Sequence, residues 1–316
     1  MGLKLFRFFL FFGTIVLYSC SEKITLPAKF SSQLNYCAPT INYQYDSQFF
    51  PITALDSFLL KNPEISQNFT QHDILVANAI GVLPTLQKIL TLKKDSSLSV
   101  KLEKTNYKLF IQKRLLITAT AIDGLASEID CEGERADQLA GYLDNLNDKR
   151  NRRLTVASII AGSATTVATV LLDNGNAQNL VGIGGGLLSA TLGGLTAFPS
   201  HKKIVFKHVR NILTDIWQAP VSSNVYPPSI WYMLNDRHFS NSGNQTILAN
   251  IKNRWISYEF EGKADLDEQD LLFKTGGMYK ADDLHSRANL LNQLQATIRS
   301  LHQDLYSFSL HLNSLE

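Results

Sequence analysis

The 316-residue chain is 45% hydrophobic and carries a formal net charge of +2, and a chain of this length can bury one or two sizeable cores. Lys4 and Arg7 account for that whole surplus, so the rest of the chain is close to neutral. A neutral body lacks the strong basic balance on which nucleic-acid binding rests, and nucleic acid is not an expected partner.

The chain opens "MGLKLFRFFLFFGTIVLYSC". Lys4 and Arg7 form a basic start, and Phe8 to Leu17 is an apolar stretch too short to span a bilayer comfortably. It closes on Leu17, Tyr18, Ser19 and Cys20. This ending resembles the lipobox of bacterial lipoproteins, with Leu three before the Cys and a small residue just before it. Tyr18 departs from the small or aliphatic residue usual at its place. The resemblance implies that residues 1–19 are a removed signal peptide and that Cys20 carries lipid such as palmitate. It further implies a lipid-anchored protein of the bacterial cell envelope, with the outer membrane as the expected site. It covers about twenty residues and says nothing of the body.

Residues 20–50 are polar and aperiodic and read as a tether. Cys37 and Cys131 remain as an even pair, which in an exported protein invites a disulfide; two buried free thiols are the alternative. A bond between them would close a loop long enough to add roughly 4–5 kcal/mol in the chain-entropy picture.

Residues 51–153 read as a helical region. "ITALDSFLLKN" stops near Pro63, and "TQHDILVANAIGVLPTLQKILTL" starts from a Thr cap with a kink expected at Pro84. From Leu115 through Ala119, Ile122, Ala126, Ile129, Gly133, Ala136 and Ala140 to Leu143, apolar or small residues recur at spacings of four and three. This is a seam on one helix face that admits close approach of a neighbour.

Leu154 to Leu172 and Leu180 to Phe198 are two apolar segments, each about 28 Å long as a helix, close to a bilayer's hydrocarbon thickness. "DNGNAQN" lies between them, so 154–198 reads as a helical hairpin. Small residues recur every four positions: Gly182, Gly186, Ala190 and Gly194; Gly185, Ser189, Gly193 and Ala197; Ala157, Ala161, Thr165 and Thr169. Such rows let helix backbones touch, the packing that works where lipid offers no hydrophobic contrast. In water each glycine costs about 1 kcal/mol against Ala, so close packing must offset it. A hairpin buried inside a soluble bundle is the alternative.

Lys149, Arg150, Arg152 and Arg153 precede the hairpin, and His201, Lys202, Lys203 and Lys207 follow it. In an inner membrane this would place both ends in the cytoplasm, against the export signal. An outer-membrane protein escapes the conflict, and the basic flanks then suit anionic head groups.

Residues 199–316 read as a second helical region. "KKIVFKHVRNILTDIWQ" reads as an amphipathic helix ending before Pro220, and "YPPSIWYMLN" and "NQTILANIKNRWISYEF" as helices begun by proline and by an Asn or Thr cap. "KTGGMYKADDL" reads as a turn. Leu291, Leu294, Ile298, Leu301, Leu305, Phe308, Leu312 and Leu315 then form a heptad-like seam, for packing within the bundle or for self-association. The expected fold class is mainly α: a multi-helix bundle with long helices, a Gly-rich apolar hairpin and a C-terminal heptad-like helix.

No catalytic arrangement of weight is present, and no cofactor or metal is expected. The acidic group Asp265, Asp267, Glu268 and Asp270 lacks the glycine and closing Glu of a calcium loop and reads as a solvated face. Asp282, Asp283 and His285 read as a helix start, and Trp217, Trp231, Tyr232 and Trp255 as core. The expected function is non-enzymatic: a lipid-anchored envelope protein holding membrane lipid through Cys20 and through the hairpin. A homo-oligomer or an envelope protein are the further partners considered. Two alternatives stay open. One is a helical pore former or secreted effector, because the layout loosely resembles the cytolysin A class of helical toxins. The other is an enzyme whose site is not recognisable.

Overall fold

The computed structural model describes residues 37–40, 45–92, 97–198 and 202–313. The signal segment 1–19, Cys20, His201 and Leu315 lie outside the described residues. The fold is mainly α.

The elements follow the local chemistry of the chain. Helix α1 (Leu55–Lys61) ends at Asn62, and α2 (Pro63–Asn68) starts on a proline, which needs no amide partner there. Helix α3 (Gln71–Ala79) opens with a capping box: the Thr70 hydroxyl accepts from the Asp73 amide, and the Asp73 carboxylate accepts from the Thr70 amide, both at 3.1 Å. The expected kink at Pro84 is a full break placed earlier. Gly81 adopts φ +74°, and α4 (Leu83–Thr91) restarts with Pro84 in its first turn. Gly81 also touches Phe49, whose carbonyl oxygen lies 2.4 Å from where a Cβ would stand.

Helix α5 (Leu98–Leu171) runs 74 residues without proline, and α6 (Gly175–Gly194) follows after a short turn capped by Asn174. The segment read as one amphipathic helix begins instead as strand β1 (Ile204–Lys207). Ile204 and Phe206 are buried while Val205 and Lys207 are exposed, a period of two. Helix α7 (Ile212–Gln218) starts only after the Asn211 cap. Then come α8 (Pro228–Asn235), α9 (Ile247–Tyr258) capped by Thr246, and α10 (Leu266–Phe273) capped by Asp265. The expected turn is strand β2 (Gly276–Tyr279), which pairs with β1 in a two-stranded sheet. The C-terminal helix is two: α11 (Ala281–Ser300) and α12 (His302–Asn313), joined at buried Leu301.

The chain divides into two compact units. Among the described residues, the first holds Gln138–Phe206 and Met278–Asp282, and the second holds 37–137, Lys207–Gly277 and 283–313.

In the second unit α3 is buried from Asp73 to Ala79, between α8 and α12. The two seams meet. Gly133 of α5 lies against Ala288, Leu291 and Asn292 of α11, and the described seam residues of α11, Leu301 and α12 are all buried. The seam is thus covered within the chain. Histidine–aspartate pairs rivet its edges: His285 to Asp137 (3.0 Å), His302 to Asp123 (2.9 Å), His72 to Asp304 (3.0 Å) and His311 to Asp73 (2.8 Å). Aromatic residues fill the other end. Trp217 stacks on Phe273 at 4.2 Å between centroids, and Trp255 and Trp231 are buried. A disulfide joins Cys37 to Cys131. The described part of the expected tether is therefore fastened to the body: Phe49 packs on Phe110 and lies under the Arg114 guanidinium, 4.1 Å from its ring centroid.

The first unit contains the C-terminal part of α5, helix α6 and the described chain that follows it. Phe206 and Tyr279 meet edge to face at 5.6 Å beneath the small sheet.

Candidate membrane-contact site

The end of α5 and the whole of α6 form the expected hairpin. Gln178 donates through its side chain to the Leu172 carbonyl and closes the turn that Asn174 caps. The two helices touch along glycines and hydroxyls. The Ser158 hydroxyl donates to the Ser189 carbonyl at 2.8 Å, and the Ser189 hydroxyl returns a bond to the Ser158 carbonyl at 3.0 Å. Gly162 lies against Ser189, Gly193 against Ser158, and Gly182 against Thr169. Gly185 is the tightest point, since a Cβ there would stand 1.8 Å from the Thr165 hydroxyl oxygen. No side chain fits that gap, so glycine is required by space.

The predicted packing rows are corrected in part. Gly182, Gly185, Ser189 and Gly193 lie on the contact, whereas Gly186, Ala190 and Gly194 are exposed, and an added Cβ at Gly186 or Gly194 meets nothing within 4 Å. On α5, Ala157 and Ala161 are half-buried, and the residues that meet α6 are Ser158, Gly162, Thr165 and Thr169. Adjacent rows on one helix are offset by about 100° per residue step. The Gly185, Ser189 and Gly193 row therefore faces the partner, and the other row reaches it only at Gly182.

The apolar side chains point the other way. Ile159, Ile160, Val167, Val170 and Leu171 of α5 and Leu180, Ile183, Leu187 and Leu188 of α6 are all exposed, Val170 to 78% and Ile183 to 75%. No residue of the described hairpin is buried. Within this chain no other element encloses the described hairpin. Helix α5 is long and apolar enough to cross a membrane by length and composition, and its apolar window is not buried. The contact itself holds hydroxyls while the branched aliphatics lie outside, beside exposed Thr155, Ser163, Thr166 and Thr191; a water-soluble helix pair turns its aliphatics inward instead. An exposed apolar surface of this kind marks contact with lipid or with protein.

The hairpin's only ionisable residue is Asp173, at the turn. Its base is basic. Arg152 and Arg153 are exposed, and Arg150 donates to the Phe198 carbonyl at 3.4 Å, tying the two ends together. Lys202 and Lys203 follow, half-buried.

The remaining singled-out residues have structural roles. Asp265 caps α10, and Asp270 pairs with Lys274 at 2.6 Å. His285 pairs with Asp137 at 3.0 Å. Among the described residues, no three His, Cys, Asp or Glu side chains are grouped to hold a metal ion. Two features escaped the sequence reading. One is the set of histidine–aspartate pairs, whose partners lie up to 238 positions apart. The other is the pair of buried Glu128 with half-buried Arg210 at 2.8 Å, where burial raises the Glu128 pKa and Arg210 opposes that rise. No protein-family model, curated protein or solved structure matches this chain.

Proposed function

We propose that this is a lipid-anchored, non-enzymatic protein of the bacterial cell envelope, held through Cys20, whose 154–198 hairpin packs against or enters a membrane. The observation that carries the reading is the inverted hairpin, with glycines and hydroxyls within and exposed aliphatics without. Hydrocarbon solvates such a surface better than water does, and the basic residues at its base suit anionic head groups. The pore-forming reading is kept as second, because the hairpin continues directly from a 74-residue helix.

The test uses the full chain with Cys20→Ala, which removes the anchoring thiol, and flotation with anionic vesicles. Binding is expected without the anchor. Ile183→Lys should reduce it, since a charge in hydrocarbon costs at least about 2.5 kcal/mol. A protein that stays in solution would overturn the membrane reading, and release of an entrapped dye on binding would move the reading to a pore former.

A further inference from the structure

A groove lies within the second unit. Its cavity measures about 800 Å³, within the range of small-molecule sites. Three stretches distant in sequence wall it: the disulfide-pinned segment with Tyr45 and Phe50, one face of α5 from Arg114 to Glu128, and the loop holding Pro227 and Pro228. Along α5 this face runs about 21 Å at 1.5 Å per residue, roughly the reach of an extended palmitoyl chain. The lining is mostly aliphatic and aromatic. Leu116, Ile117, Tyr45 and Phe50 are large apolar residues left exposed around it.

The charges differ at its two ends. Glu128 and Arg210 neutralise each other at 2.8 Å, and Arg210 also donates to the Val225 carbonyl. Arg114 is not neutralised in this way. Its Nε donates to the Ile80 carbonyl at 3.1 Å and its plane lies over Phe49, but no carboxylate of the described residues is within ion-pair distance; Asp46 acts on it only from farther away. A guanidinium cannot shed its charge at physiological pH, and its remaining N–H groups suit an anionic oxygen.

We propose that this groove binds a single-chain amphiphile with an anionic head, of the fatty-acid class. Its hydrocarbon lies along Ile117, Ala121 and Gly124, and its head group meets Arg114. The charge at Arg114 argues for a free amphiphile over the chain's own acyl group, because an acyl chain held on Cys20 has no anionic head.

Photoreactive palmitate is offered to the full chain in vesicles, and labelled peptides are mapped. The matching long-chain alcohol and alkylammonium are run beside it. Palmitate should label the 114–128 peptide about tenfold more than the alcohol, the value of one charge-assisted hydrogen bond, and the alkylammonium least. Gly124→Trp should abolish this labelling, because a Cβ at Gly124 meets nothing within 4 Å and the ring can fill the groove without displacing the fold. Its melting and any labelling of the hairpin should stay as in the wild type. The head-group series needs no variant, so it decides even if Gly124→Trp does not fold. Equal labelling by all three head groups, labelling confined to the hairpin, or undiminished labelling of a folded Gly124→Trp overturns the proposal.

Discussion

The α5–α11 seam and the α5–α6 hairpin use the same device and turn it in opposite directions. Gly133 lets α11 approach α5 in the seam, and Gly185 lets α6 approach α5 in the hairpin. In the seam the contact is leucine-rich and buried, with histidine–aspartate pairs at its edges. In the hairpin the contact is glycine and hydroxyl, with the aliphatics outside. A small-residue row therefore says only that two backbones come close. The character of the opposite face says which solvent the pair is made for.

A paired substitution tests this contrast most severely. Leu301→Asp places an unpaired carboxylate in a fully buried site and should cost at least about 3 kcal/mol. Ile183→Lys in the exposed hairpin should leave stability in lipid-free buffer unchanged within about 0.5 kcal/mol. Urea unfolding followed by near-ultraviolet dichroism reports the second unit, which contains all three tryptophans. Equal effects of the two changes would erase the distinction.

Acid should separate the regions next. His208 is buried in the second unit, and its pKa is pushed down to about 2, chiefly by burial and then by Arg287 and Arg135. The unfolded chain takes up a proton near pH 6.5 that the folded chain refuses. The stability tied to this group is thus complete above pH 6.5 and is lost as pH falls toward 2, at about 1.4 kcal/mol per unit. Near pH 4.5 the loss is about 3 kcal/mol by the same relation. His208→Gln should flatten the slope of stability against pH between 6 and 4. The hairpin has no histidine and one Asp, so its integrity should not change over that range. A cysteine pair at Ser158 and Ser189 that still crosslinks at pH 4.5 would show this.

The smallest effect is the most local. Gly185→Leu should force the hairpin open at a cost of about 1–3 kcal/mol. Gly186→Leu, one position on, should be neutral or stabilise α6 by up to about 1 kcal/mol, because Leu is the better helix former. The 158–189 crosslink should fail in the first and form in the second. Failure in both would put Gly186 on the contact as well.

Much of this was legible in the chain. The seam positions from Leu115 to Leu143 and from Leu291 to Leu312 follow from three-four spacing, and the hairpin follows from two apolar runs around a polar turn. Spacing did not decide between the Gly185 and Gly186 rows, because the choice depends on how α6 is rotated against α5 across the turn. "KKIVFK" reads as the start of a helix because so short an alternation is not distinguished by period alone. Its strand partner lies some seventy residues later in "GGMY". The groove was invisible for a similar reason, since no single stretch of sequence contains more than one of its walls.

The Cys37–Cys131 bond also fixes how the molecule carries a mechanical load. Tension applied to the chain ahead of Cys37 does not travel through α1 to α4. It crosses the sulfur–sulfur link and enters α5 at Cys131, 94 positions on, leaving the stretch between them slack. The capping box of α3 and the contact of Gly81 with Phe49 lie inside that slack loop and bear none of the pull. In a protein tugged from its N-terminus, one covalent bond shields the packing around α3 and hands the force to the helix that continues into the hairpin.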